Sequence, residues 1–176
     1  MVGKKRDDGL SQMMWGCFAG NKLGPLVFID ENINAGVYTT VLEQNLLEYI
    51  DALTVEGLQD IVFQQDNARP HIAKITQKWL ENAGKEHGFI VMKWSPYSPD
   101  LNPIENLWII LKLELNRWYP DTKYLHGSPE TVKSVLKERL HKVWWDIGEG
   151  VLNQLIENMS ERVQAVLDVD GWYTGF

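Results

Sequence analysis

Cysteine is nearly missing: Cys17 is the only one, so neither an internal disulfide nor a zinc site of several thiolates can form within the chain. Basic charge is also short, with 17 Lys and Arg against 24 Asp and Glu and a net charge of -7, so no whole-molecule basic field draws in nucleic acid and any DNA contact must be local. Long apolar runs are missing too. The longest, such as Leu107 to Leu111, reach about a quarter of a membrane span, and Met1 is followed by Lys4, Lys5, Arg6, Asp7 and Asp8 rather than by the apolar core of a signal peptide. There is no internal repeat, low-complexity tract or long linker. These absences describe a soluble intracellular protein without a membrane partner. What is present, 176 residues of which 44% are hydrophobic, suffices for one globular domain with its own core.

Residues 1–11 are polar and glycine-bearing and read as a disordered N-terminal segment ahead of a domain spanning 12–176. Gln12 to Phe18 and Pro25 to Asp30 are short, apolar and aromatic or β-branched, with glycines and an asparagine between them, the pattern of a β-hairpin. Tyr38, Val41, Leu42, Leu46, Tyr49, Ile50 and Leu53 recur at helical spacing and predict an amphipathic helix over 37–53. Asp60 to Asp66 reads as a buried strand, Ile72 to Asn82 as a helix stopped by Gly84, and Phe89 to Met92 as a further strand. A loop punctuated by Pro96, Pro99 and Pro103 then leads into a helix striped by Ile104, Leu107, Trp108, Leu111, Leu115 and Trp118. Two more helices are readable, from Pro129 to about Ile147 and from Glu149 to about Leu167. Strands alternating with helices imply a mixed α/β sheet with helices packed on it, followed here by C-terminal helices.

Asp66 stands where a buried strand ends, the position that faces the ligand crevice in open α/β sheets. Asp66-Asn67 equally suits a structural Asx turn. Glu105 has a structural alternative as well: Asn102, Pro103 and Glu105 fall at the N-cap, first and third positions of a helix, a capping-box arrangement.

The wording around both acids adds information. Residues 63–71 read Phe-Gln-Gln-Asp-Asn-Ala-Arg-Pro-His, and residues 94–108 read Trp-Ser-Pro-Tyr-Ser-Pro-Asp-Leu-Asn-Pro-Ile-Glu-Asn-Leu-Trp. Nearly letter for letter, these resemble the second and third acidic motifs of the mariner superfamily of DDE transposases, in the branch whose triad ends in Glu. The hairpin segments Met14-Trp15-Gly16-Cys17-Phe18 and Gly24-Pro25-Leu26-Val27, and the tail from Glu161 to Leu167 closing on Gly171-Trp172-Tyr173-Thr174, extend the resemblance from about Gln12 to the C-terminus.

The resemblance implies a ribonuclease H-like fold with helices on both faces, truncated at its N-terminus in this chain, and a DNA transposase catalytic domain over 12–176 that cleaves and transfers strands with two Mg²⁺ or Mn²⁺ ions. It makes Asp66 the second acid and Glu105 the third, both catalytic and metal-binding, although 38 residues separate them. Hard, oxygen-seeking Mg²⁺ is typically held by one or two carboxylates plus substrate phosphate, which is why acids are needed there. Asn67, Arg69, His71 and Asn102 flank the two acids and are placed to touch a scissile phosphate or to support the acids, with turn and helix-start roles as the alternative. The family's first Asp lies on a strand upstream of the hairpin. Asp7, Asp8 and Asp30 do not stand in that place, so the two-ion site is expected to be incomplete and the chain alone inactive. Transposon-end DNA is the implied partner of the full-length parent, with a nuclear location in a eukaryote and a cytoplasmic one otherwise. A sheet lacking its central strand is open to self-association through unpaired edges. The rival reading is a domesticated, non-catalytic relic that binds DNA or protein.

The remaining candidates carry less. Trp79, Trp108, Trp118, Trp144 and Trp145 lie on amphipathic helices and read as core rather than base-stacking residues, and Cys17 reads as a small buried hydrophobe. His87, His126 and His141 lack metal-ligand spacing.

Overall fold

A computed structural model describes residues 12–94, 98 and 101–169. The expected disorder of 1–11, the proline loop around Asp100 and the 171–174 tail therefore lie outside the described residues. The chain divides into two compact units, one of residues 1–30 with 103–176 and the other of residues 31–102.

In the first unit, β1 (Met13–Ala19) and β2 (Lys22–Ile29) form an antiparallel hairpin, with a register shift between Gly16 and Phe18 that sets Cys17 in a bulge. The turn is only Gly20-Asn21, tighter than the six residues read from sequence, and Gly20 takes the positive φ of 56° that such a turn favours. Cys17 is half-buried, and burial pushes its thiol pKa up, so it is inert as a nucleophile. Helix α5 (Pro103–Trp118) begins where the sequence places it, and α6 (Pro129–Asp146) starts on Ser128, whose Oγ accepts from the Thr131 N–H at 3.2 Å. Leu107, Trp108, Leu111, Leu140, Val143 and Trp144 form the centre of this unit's core, where the Trp108 and Trp144 rings stack at 5.5 Å. Gly16 is glycine for contact reasons: a Cβ there would lie 2.9 Å from Cη2 of Trp108.

Two expectations about this unit are corrected. Trp118 and Trp145 are 44% and 52% exposed: Trp118 is the last residue of α5, at the very end of its stripe, and Trp145 lies one step round α6 from buried Trp144. The helix read as continuous from Glu149 is two, α7 (Glu149–Glu157) and α8 (Met159–Asp168), which meet at Asn158. A short 3₁₀ turn, Pro120–Tyr124, occupies the break after α5.

In the second unit, Asn34 Oδ1 accepts from the Gly36 and Val37 N–H groups at 2.8 and 3.1 Å, so the first helical run starts two residues earlier than its apolar stripe suggests. It comprises α1 (Ala35–Val41), a π-helical turn Leu42–Leu46 and α2 (Leu47–Val55), and buries Tyr38, Leu42, Leu46, Ile50 and Leu53. Then follow β3 (Ile61–Phe63), α3 (Arg69–Ile72), α4 (Lys74–His87) and β4 (Phe89–Val91), with β3 and β4 paired in parallel. Gly84 does not stop α4. Helix α4 runs to His87 and ends on Gly88, whose φ of 73° is the left-handed C-cap conformation.

Among the described residues the strands make two separate two-stranded sheets, β1 with β2 and β3 with β4, where the sequence pattern suggested one mixed sheet. Each pair satisfies one ladder only, because no described strand bridges them. No described helix is long and apolar enough to cross a membrane.

Candidate active site

Three residues beyond β3 the chain reaches Asp66, and the next residues turn sharply into α3. The turn is the Asx type that the sequence allows: Asp66 Oδ1 accepts from the Ala68 N–H at 3.0 Å. The same oxygen lies 2.6 Å from His71 Nδ1, which also sits 3.2 Å from the Asp66 carbonyl oxygen. These contacts, the imidazole foremost and the Ala68 amide next, outweigh partial burial and hold the Asp66 carboxyl pKa down at about 2. Asp66 is thus an anion at any physiological pH. Among the described residues no hydrogen bond reaches its Oδ2.

His71 is buried, and its surroundings come from elements that the sequence does not mark as functional. The Tyr38 ring of α1 stacks on the imidazole at a centroid distance of 4.2 Å, and the Tyr38 hydroxyl donates to Gln65 Oε1 at 2.6 Å. Gln77 Nε2 of α4 donates to the His71 carbonyl at 2.7 Å, and Thr76 Oγ1 donates to the Pro70 carbonyl at 2.7 Å. Carbonyls freed by the break between α3 and α4 at Ala73 are thereby satisfied by the next helix. Tyr38, Gln65 and Gln77 are the residues that sequence reasoning missed. The only hint was a second polar residue, Gln65, at the end of an apolar strand.

The other candidates have surroundings of their own. Asn67 is exposed and its Nδ2 donates to the Trp94 carbonyl at 3.2 Å, and Arg69 is exposed on the first turn of α3. Asn102 is buried with its Oδ1 3.3 Å from Gln64 Nε2, which also donates to the Leu101 carbonyl at 3.2 Å, so the strand end before Asp66 is tied to the residues just before α5. Glu105 is half-buried in the first turn of α5. Its neighbour Asn106 accepts from Arg162 Nη1 of α8 at 2.6 Å, and Arg162 is buried. Asp30, weighed as a substitute first acid, pairs instead with Lys137 at 2.6 Å, while Asp7 and Asp8 lie outside the described residues. Among the described residues no group of three His, Cys, Asp or Glu side chains is placed to hold a metal ion. Asp66 by itself suits a hard cation, having one oxygen fixed by the protein and the other without a protein hydrogen bond among the described residues.

Comparison with known proteins gives the family and the fold. Residues 5–125 match the family described as DDE superfamily endonuclease. The chain is 30% identical over 168 residues to the transposable element Tcb2 transposase of Caenorhabditis briggsae, an alignment covering 96% of the chain and 55% of that relative. It therefore spans just over half the relative's length. Among solved structures, the Mos1 transposase catalytic domain with raltegravir and Mg superposes with a TM-score of 0.72 at 20% identity, covering 98% of the chain and 82% of that structure. The Mos1 transposase paired-end complex with left transposon end gives 0.72 at 21% identity, covering 98% and 47%. These likenesses carry the mixed α/β fold.

Proposed function

The chain belongs to the DDE superfamily endonucleases, and from that premise we propose that it is the catalytic-domain portion of a mariner-type DNA transposase, the part that cleaves DNA strands and transfers their ends, with an incomplete two-ion site that leaves the chain inactive alone. The observation that carries this reading is Asp66, an oriented anion in the turn that follows β3, within the wording that the acidic motif requires. Asp66 and Glu105 are the proposed metal-binding and catalytic acids, and Mg²⁺ or Mn²⁺ the proposed cofactor. When bound, divalent ions activate the attacking water or 3′-hydroxyl and stabilise the leaving oxygen. The protein's part is to supply carboxylate oxygens in fixed positions, which Asp66 does through the Ala68 amide and His71. Exposed Arg69 and Asn67 border the same turn and are the groups available to a scissile phosphate.

Transposon-end DNA is the proposed partner, supported by the likeness to a complex that contains it, and it puts the work of a eukaryotic member in the nucleus. With a net charge of -7 the chain has no general attraction to phosphate, so contact is confined to local groups. Among the described residues each strand pairs with one partner strand only, and we include self-association through the remaining strand edges in the proposal. The deciding test is calorimetry with Mn²⁺ on the chain and on its Asp66→Ala/Glu105→Ala double variant. Binding that is weak in the parent and lost in the double variant is expected, and equal binding in both defeats the metal reading.

A further inference from the structure

We infer that His71 is a positioning residue, not a metal ligand: its Nδ1–H pins one oxygen of Asp66 so that the other is presented to the cation. This rests on the proposed metal-binding role of Asp66. A free carboxylate rotates about its terminal bond and offers either oxygen, whereas here one nitrogen faces both Oδ1, at 2.6 Å, and the main-chain oxygen of the same residue, at 3.2 Å. Only a ring that carries a proton on Nδ1 can donate to those two acceptors. The opposite nitrogen, Nε2, is buried with no hydrogen-bond partner among the described residues, which a bare lone pair tolerates better than an N–H that lacks an acceptor. All the hydrogen bonding of this ring is thus directed at Asp66.

The ring also has little freedom to turn away. It is 5% exposed, Tyr38 stacks on one face with the planes 29° apart, and the main chain at His71 is held by Gln77 at 2.7 Å and by Gln65 Nε2 at 3.5 Å. Gln65 is itself fixed by the Tyr38 hydroxyl. One aromatic residue of α1 therefore holds the imidazole twice, directly by stacking and indirectly through the glutamine that grips its carbonyl. A histidine kept only to shape the turn would need the backbone bonds and not the aimed Nδ1.

The test compares Mn²⁺ affinity by calorimetry in the 176-residue chain and its Asp66→Ala, His71→Leu and His71→Asn variants, because an Asn amide can place a donor where Nδ1 stood. Removing a hydrogen-bond partner of a metal ligand typically weakens binding about ten- to a hundredfold, so His71→Leu is expected to lose that much and His71→Asn to recover most of it. The inference is overturned if His71→Leu binds like the parent while Asp66→Ala does not, or if His71→Asn is as weak as His71→Leu. Equal binding by the parent and Asp66→Ala instead defeats the metal reading itself, so the two failures are distinguishable. Should His71→Leu not fold, ¹⁵N spectra of the parent's imidazole decide. An Nδ1–H resonance that moves on adding Mg²⁺, and does not move in Asp66→Ala, supports the role, and an Nε2–H tautomer overturns it.

Discussion

Replacing Gly84 by alanine sets two effects of similar size against each other. An alanine inside a helix is favoured over glycine by about 1 kcal/mol, part of it through the less flexible unfolded chain. Against this, a Cβ at position 84 would lie 2.6 Å from the Phe89 carbonyl oxygen, well inside the 3.4 Å at which ordinary contact begins. That oxygen belongs to backbone, so relief requires moving β4, whose Phe89 is 4% exposed, packs edge-to-face on Phe63 at 6.3 Å and pairs with Ile61. Forcing an extra carbon into so filled a space typically costs about 1–3 kcal/mol, and the upper half of that range applies where backbone must move, so Gly84→Ala is expected to destabilise by a net ~1–2 kcal/mol. Gly150→Ala provides the control, since it too adds a methyl group within a helix, α7, but meets nothing within 4 Å. Urea unfolding of both variants is the assay, read as a midpoint shift at constant slope. If Gly84→Ala is as stable as the parent, or gains as Gly150→Ala does, then close approach of β4 is not why glycine stands there.

Two further outcomes follow from the other unit. Trp144→Phe removes the indole N–H that donates to the buried Gly24 carbonyl at 2.9 Å and shortens the stack on Trp108; a loss of about 2–4 kcal/mol is expected in the same assay, and a loss under 1 kcal/mol would refute the pairing. Asp121 accepts from both terminal nitrogens of Arg139, at 3.1 and 2.8 Å, and this guanidinium holds its carboxyl below the ordinary carboxylate range. Because the folded-state pKa is lowered, the stabilisation is present at neutral pH and disappears as pH falls through that lowered value. Asp121→Asn should therefore melt slightly below the parent at neutral pH, by an amount that salt reduces, and converge with it in acid; a gap that persists in acid would contradict this.

The helices were legible where a stripe coincided with a chemical boundary and less so where only one signal was present. Pro103 and Pro129 open α5 and α6 as read, because proline at the first turn is both a start signal and a pre-set φ. Gly84 was misread because a glycine's two uses, ending a helix and admitting a neighbour's backbone, look identical in sequence. Only the position of β4 tells them apart. Trp145 shows the same limit: it follows buried Trp144 in sequence, yet the helical turn carries it off the packed face to 52% exposure, while Trp118, at the end of α5, is 44% exposed. The separation into two two-stranded sheets could not be read from strand patterns, since pairing partners are a long-range property.

The site divides along the same line, between what a short peptide states and what distant elements contribute. Asp66 and His71 are five residues apart and their contact is local, so the motif contains both partners. Tyr38 looked like one more apolar position on a helix stripe, and its ring does pack as such; its hydroxyl, at 2.6 Å from Gln65, became visible only in three dimensions. Asp66 also shows why the structural and functional readings of one residue need not compete. The Asx turn uses Oδ1, as does His71, and both contacts favour the ionised form. A carboxylate committed through one oxygen, here to the turn amide and to His71 together, presents the other. The bland reading of Asp66 is therefore the means by which the catalytic one would operate, and choosing between them on sequence posed a false alternative.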